Sequence, residues 1–118
     1  MNVLLTQAQR EKLLDNGRRQ AAVKGTPHEI DFEPVVKLFT PDGAATWLLT
    51  ELDDDGDTAF GLCDLGMGFP ELGSVSLAEL RSIRGKLGLR VERDRHFAAT
   101  KPLSAYAEEA NRLGCIQV

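Results

Sequence analysis

Apolar positions along the first quarter of the chain recur at helical spacing. Leu5, Ala8, Leu13, Leu14, Ala21 and Ala22 fall on one stripe, and Thr6 with Gln9 forms the S/T-x-x-E/Q pattern in which two residues satisfy each other's free backbone donors. The spacing predicts a helix over about residues 7–22, with Gly17 after Asn16 as a point where it ends or bends. Residues 23–33 mix turn formers with charge and read as a connecting loop before Pro34. The pattern then changes. Residues 35–40 and 44–52 are β-branched and aromatic around the turn Pro41-Asp42-Gly43, and residues 58–65 resume the strand pattern beyond Asp53-Asp54-Asp55-Gly56-Asp57.

If that acidic segment is a hairpin loop, Leu52 faces Thr58, Leu49 faces Gly61, Trp47 faces Cys63 and Thr46 faces Asp64. One sheet face then carries Ala45, Trp47, Leu49, Ala59, Gly61, Cys63 and Leu65 as the core face, with Gly61 making room beside Leu49 and Trp47. A fourth strand is expected at residues 71–75 after the turn-rich Gly66-Met67-Gly68-Phe69-Pro70. Ser76 and Glu79 form a second capping box for a short helix over residues 77–84, with Leu77, Leu80 and Ile83 inward. Gly85 and Gly88 end it, residues 89–93 read as a further short strand, and Ser104 starts a last helix over residues 104–113 that stops at Gly114. The fold class is α+β, an antiparallel β-meander of about four strands with an N-terminal, a short and a C-terminal helix.

Length changes this picture little: 118 residues fit one domain. With 42% hydrophobic and 27% charged residues the composition is that of a globular protein. The apolar runs are far shorter than the roughly 20 residues that span a bilayer, and no signal peptide is expected, so the default is a cytoplasmic protein with no membrane partner. Cys63 and Cys115 are isolated and read as reduced thiols.

Charge changes more, because it is sorted along the chain. All fourteen Lys and Arg residues lie outside residues 38–80, which hold nine carboxylates. Residues 81–101 set Arg81, Arg84, Lys86, Arg90, Arg93, Arg95 and Lys101 against Glu92 and Asp94. The net charge of −4 argues against whole-molecule attraction to nucleic acid, yet a local basic face with Phe97 for stacking remains open.

Candidate chemistry is sparse. With Gly56 at the sixth position of a calcium loop, the closing bidentate Glu would fall on Leu62, so the acidic segment reads as a solvated hairpin tip. Gly66-x-Gly68 is too short for a dinucleotide fingerprint. Cys63 reads as a buried, inert thiol, zinc lacks paired ligand spacing, and no cofactor is implied. The carboxylates that could converge are Glu51, Asp64 and Glu71, a set able to hold Mg²⁺ or Mn²⁺ for phosphodiester chemistry, with His96 beside Arg95 near a substrate. Against that enzyme stands a binding module that offers Arg81, Arg84, Arg90, Arg93 and Arg95 to a protein or nucleic-acid partner.

The segments Pro34–Pro41, Ala45–Leu52, Phe60–Gly66, Pro70–Gly73 and Lys101–Ser104 together resemble the bacterial domain-of-unknown-function family 2958, over nearly the whole chain. The resemblance implies a small protein of the kind often carried by plasmids, integrative elements and phages, a family in which some members carry labels suggesting single-stranded DNA endonuclease activity. It brings no catalytic residues; Trp47, Glu51, Asp64, Glu71 and Gly73 fall inside the shared segments. The leading expectation is a non-enzymatic macromolecular binding module, and the alternative is the metal-dependent nuclease or phosphodiesterase.

Overall fold

The first turn of the chain closes as its capping box requires: Thr6 N–H donates to Gln9 Oε1 at 3.0 Å and Gln9 N–H to Thr6 Oγ1 at 3.1 Å. The computed structural model describes residues 4–118. Helix α1 (Gln7–Val23) runs through Gly17 without a break, because that glycine is needed for contact rather than for bending. A Cβ there would stand 2.1 Å from the carbonyl oxygen of Leu52, so the helix lies backbone-close on the sheet. Strands β1 (Val36–Phe39), β2 (Thr46–Leu52), β3 (Thr58–Asp64) and β4 (Glu71–Ser76) form the expected antiparallel meander. Helix α2 (Leu77–Ser82) follows directly, then β5 (Glu92–Arg93) and α3 (Leu103–Leu113).

The short β5 pairs with β1, so the sheet has five strands in the order β4-β3-β2-β1-β5. Register on the β2–β3 hairpin agrees with expectation from Thr46↔Asp64 to Leu49↔Gly61 and then shifts at a bulge, so Leu52 faces Ala59 instead of Thr58. The bulge is built on Gly61, where a Cβ would lie 2.0 Å from the Leu48 carbonyl oxygen. Room is made for the β2 backbone, not only for the side chains of Leu49 and Trp47. Asn16 on α1 covers the bulge, its Nδ2 donating to the Thr50 carbonyl at 2.9 Å.

Both faces of the sheet are buried, where the sequence pattern suggested one core face. On one side Val36, Leu38, Trp47, Leu49, Leu52 and Ala59 meet Leu13 of α1 and Leu77 and Leu80 of α2. On the other, Leu48 and Leu62 meet Leu103, Tyr106, Ala107 and Ala110 of α3. Leu65, expected on the core face, lies past the end of β3 and is 62% exposed. The connecting segment between α1 and β1 carries the chain from one face to the other, tied down at both ends. Gln20 exchanges two hydrogen bonds with the backbone of Ile30, and Asp31 accepts from the backbone and hydroxyl of Ser104 at the start of α3.

The acidic hairpin tip is used internally. Asp55 accepts from the amides of Asp57 and Thr58 and from the Thr58 hydroxyl. Asp57 caps α2, taking the Ser76 hydroxyl at 2.7 Å and the Ala78 amide at 2.8 Å. Of the second capping box the Ser76 half forms, with Glu79 N–H donating to Ser76 Oγ at 3.2 Å. Hydrogen bonds hold both aspartates below the usual carboxylate range, led by the Thr58 hydroxyl for Asp55 and the Ser76 hydroxyl for Asp57. Their contribution to stability is therefore present above the ordinary aspartate value and lost as pH falls through the lowered folded-state range.

Candidate functional site

The three carboxylates that would make a metal centre do not meet. Glu51 pairs across the sheet with Phe60, and Asp64 lies four residues further along β3 on the same face, a separation of about 13 Å at the usual strand rise. Glu71 pairs with Cys63, which points to the opposite face from Asp64. Among the described residues no group of three or more His, Cys, Asp or Glu side chains could hold a metal ion. Asp64 is instead a buried anchor: Oδ1 accepts from the Gly66 amide at 2.8 Å and Oδ2 from the Ile116 amide at 2.9 Å. It ties the β3–β4 loop and the segment after α3 to one strand end. His96 is exposed in a turn, its amide bonded to Asp94, whose carboxylate also pairs with Lys37 at 3.2 Å. The Cys63 thiol is pushed up to about 11, first by burial and then by Glu71 nearby, which leaves it a poor nucleophile at neutral pH.

Glu51 occupies the most built environment of the three. It lines a groove of about 250 Å³ with Gln20, Glu29, Ile30, Asp31, Phe32, Phe60, Leu72 and Leu103. A second groove shares Gln20, Glu29, Glu51 and Phe60 and adds Lys24, Asp53 and Ser74. Burial raises the Glu51 carboxyl above the usual glutamate range, against the opposing pull of hydrogen bonds from Thr50 and Gln20 and of the Lys24 charge. A raised folded-state value favours the protonated form, so this contribution is full at low pH and is lost as pH rises through the folded-state range. Glu51→Gln is accordingly expected to raise the melting temperature at pH 7 and to leave it nearly unchanged at pH 4, as read by thermal unfolding.

A different feature stands at the opposite end of the sheet, where three loops gather. The β1–β2 turn is the hub. Ala44 lies against Gly66 of the β3–β4 loop so closely that a Cβ on the glycine would be 2.6 Å from its own. Gly66 also holds φ 80°, a conformation that keeps the loop from continuing the strand. Asp42 of the same turn reaches the other way and accepts from the amides of Leu87 at 2.7 Å and Leu89 at 3.3 Å. The loop it clamps is closed by the Arg84↔Arg90 bridge and by Gly85 N–H donating to the Leu89 carbonyl at 2.9 Å.

What these loops display is apolar. Among the described residues eight large hydrophobic side chains are exposed, and five of them, Leu65, Met67, Phe69, Leu87 and Leu89, sit on the two loops that flank the β1–β2 turn. Met67, Phe69 and Leu87 are 72%, 77% and 79% exposed. Single exposed leucines are ordinary, whereas contiguous exposed apolar patches are the surfaces on which interaction sites are generally found. Beside them lie three of the sequence-predicted arginines. Arg81 and Arg90 share a small cleft with Leu4 and Val91, and Arg84 folds its guanidinium onto the carbonyls of Arg81 and Ile83 at 2.9 Å each. Lys86 is on the loop itself. Arg93 pairs on β5 with Leu38 and Arg95 lies in the exposed turn beyond it, so these two belong to the next stretch of the surface.

Sequence reasoning named the arginines and missed the apolar residues beside them. Met67 and Phe69 fall in the segment that reads as a turn, and Leu87 lies between the two glycines that end the short helix. The signal available was the placement of large apolar side chains between glycines in segments too short to be elements.

Among the described residues no helix is long and apolar enough to cross a membrane. No curated protein and no solved structure matches the chain. One family model does, that of the "Protein of unknown function (DUF2958)", over residues 4–117 of the 118, and the chain belongs to that family.

Proposed function

We propose that this chain is a non-enzymatic binding module that recognises another protein through the loop end of its sheet. The observation that supports it is the gathering of Leu65, Met67, Phe69, Leu87 and Leu89 on two loops fastened to one turn. Interfaces are built around apolar and aromatic anchors of this kind with a polar rim, and Arg84, Lys86 and Arg90 supply a basic rim. The complementary partner surface is apolar with carboxylates at its margin. A nucleic-acid ligand fits less well, since such interfaces are dominated by cations and polar groups, and the chain as a whole is anionic. The mobile-element setting implied by the family resemblance is the support for the nucleic-acid reading.

In the host cell a tagged chain is expected to bring down one protein in a salt-sensitive manner. Met67→Asp with Phe69→Asp should abolish recovery, and Lys86→Glu with Arg90→Glu should reduce it about tenfold or more, with melting temperatures preserved because the altered groups are exposed. Recovery unaffected by both pairs, or recovery of nucleic acid alone, overturns the reading.

A further inference from the structure

The two edges of the sheet are unlike. β5 is two charged residues long, a blunt edge of the kind that discourages strand pairing. β4 offers six residues, Glu71–Ser76, with no lysine and no proline, and it pairs with β3 in unbroken register without a bulge. Among the described residues no strand pairs with its outer side. An edge with unpaired backbone groups and without these protections is a template on which another strand can pair.

The face beside this edge indicates which strand. Glu51, Phe60 and Ser74 form one row across β2, β3 and β4. Ser74 is small, so nothing tall stands between the open edge and the ring of Phe60. Leu72 and Ser74 reach the two grooves that Glu51, Glu29 and Phe60 share. The charged side chains lining those grooves are the carboxylates of Glu29, Asp31, Glu51 and Asp53 and the single ammonium of Lys24. Asp31 is already engaged by Ser104. A strand added outside β4 would run about 14 Å from β2, three strand spacings, and the long stems of an arginine and a glutamate close that span between them. The guanidinium would cross the Phe60 face and end at the Glu51 carboxylate.

We propose that the outer edge of β4 receives an extended segment of a partner protein carrying an arginine that reaches over Ser74 and Phe60 to Glu51. Main-chain hydrogen bonds to β4 supply the affinity, and the arginine selects the sequence. This surface lies apart from the loop end, so the two claims stand or fall separately.

The probe is a synthetic peptide of about eight residues alternating arginine with threonine, so that in an added strand every arginine falls on one face and can lie over Ser74 and Phe60, titrated into isotopically labelled protein. Amide shifts of Leu72, Gly73, Ser74 and Glu51 should move saturably while those of residues 85–89 stay still. The same peptide with glutamate for arginine should not bind, N-methylation of alternate peptide amides should abolish binding, and Glu51→Gln should weaken it about tenfold. Equal binding of the methylated peptide would show that no strand is added, and equal binding of the glutamate peptide or of the Glu51→Gln protein would remove the arginine. No saturable shift up to about 1 mM, the weak end of specific recognition, overturns the proposal outright.

Discussion

Gly61→Ala is expected to destabilise the protein by about 3 kcal/mol or more, a large share of the roughly 5 to 15 kcal/mol that holds a domain of this size. The added methyl would stand 2.0 Å from the Leu48 carbonyl oxygen and 2.8 Å from the Leu49 Cα. Both are backbone atoms of the central strand, so no side-chain rotation relieves the overlap. β2 would have to move away from β3 at its bulge and separate Leu48 from Leu62 on one face and Leu49 from Leu13 on the other. The neighbouring glycine is the control. Gly73 pairs directly with Gly61, yet a Cβ there meets nothing within 4 Å and its φ is not positive. Gly73→Ala should change stability by less than about 1 kcal/mol, in the stabilising direction if anything, because alanine restricts the unfolded chain. Chemical denaturation of the two variants side by side checks the claim, and equal losses would refute the bulge contact.

Asp64→Asn should cost about 2 kcal/mol, although it is nearly isosteric. Both carboxylate oxygens accept backbone N–H groups, from Gly66 and from Ile116. The amide keeps one acceptor and turns a donor toward the other N–H, leaving a buried donor without a partner. The consequence is directional: the segment after α3 should loosen first, visible as faster hydrogen exchange at Ile116, while α1 stays protected. This outcome also bears on enzymatic assays, because loss of any activity in Asp64→Asn would report loosened structure as readily as a lost metal ligand.

Much of the architecture was legible because local signals and global fold agree. The Thr6 and Gln9 pair placed the first helix, the aspartate-rich turn placed the central hairpin, and Thr46, Trp47 and Leu49 found their partners from loop length alone. Two features were hidden, each for its own reason. A bulge leaves no mark on composition, so residues beyond Thr50 shifted register without warning. The second core, under α3, was invisible because Leu48 and Leu62 alternate with residues equally apolar, and a strand buried on both sides carries no period. The sites were harder still. Proximity of Asp42 to Leu87, or of Glu51 to Glu29, depends on how loops distant in sequence are brought together. Whether Asp64 and Glu71 converge was open in the sequence, and neighbouring register positions put their side chains on opposite faces.

The acidic centre of the sequence also resolves into parts with separate work. Asp55 and Asp57 build a turn and cap a helix, Asp42 fastens a loop, and Asp64 anchors the segment after α3. Of its other carboxylates, Glu51 is the one that lines both grooves on the α3 face of the sheet, and the proposed protein-binding surface lies at the other end of the sheet.

That surface is tested most directly by placing a photo-crosslinking amino acid at position 69 in the intact chain and irradiating host cells that express it. The account predicts a discrete adduct with one protein, also formed from position 87 and absent from position 108 on the exposed side of α3. No adduct from positions 69 and 87, or crosslinks to nucleic acid alone, would contradict it.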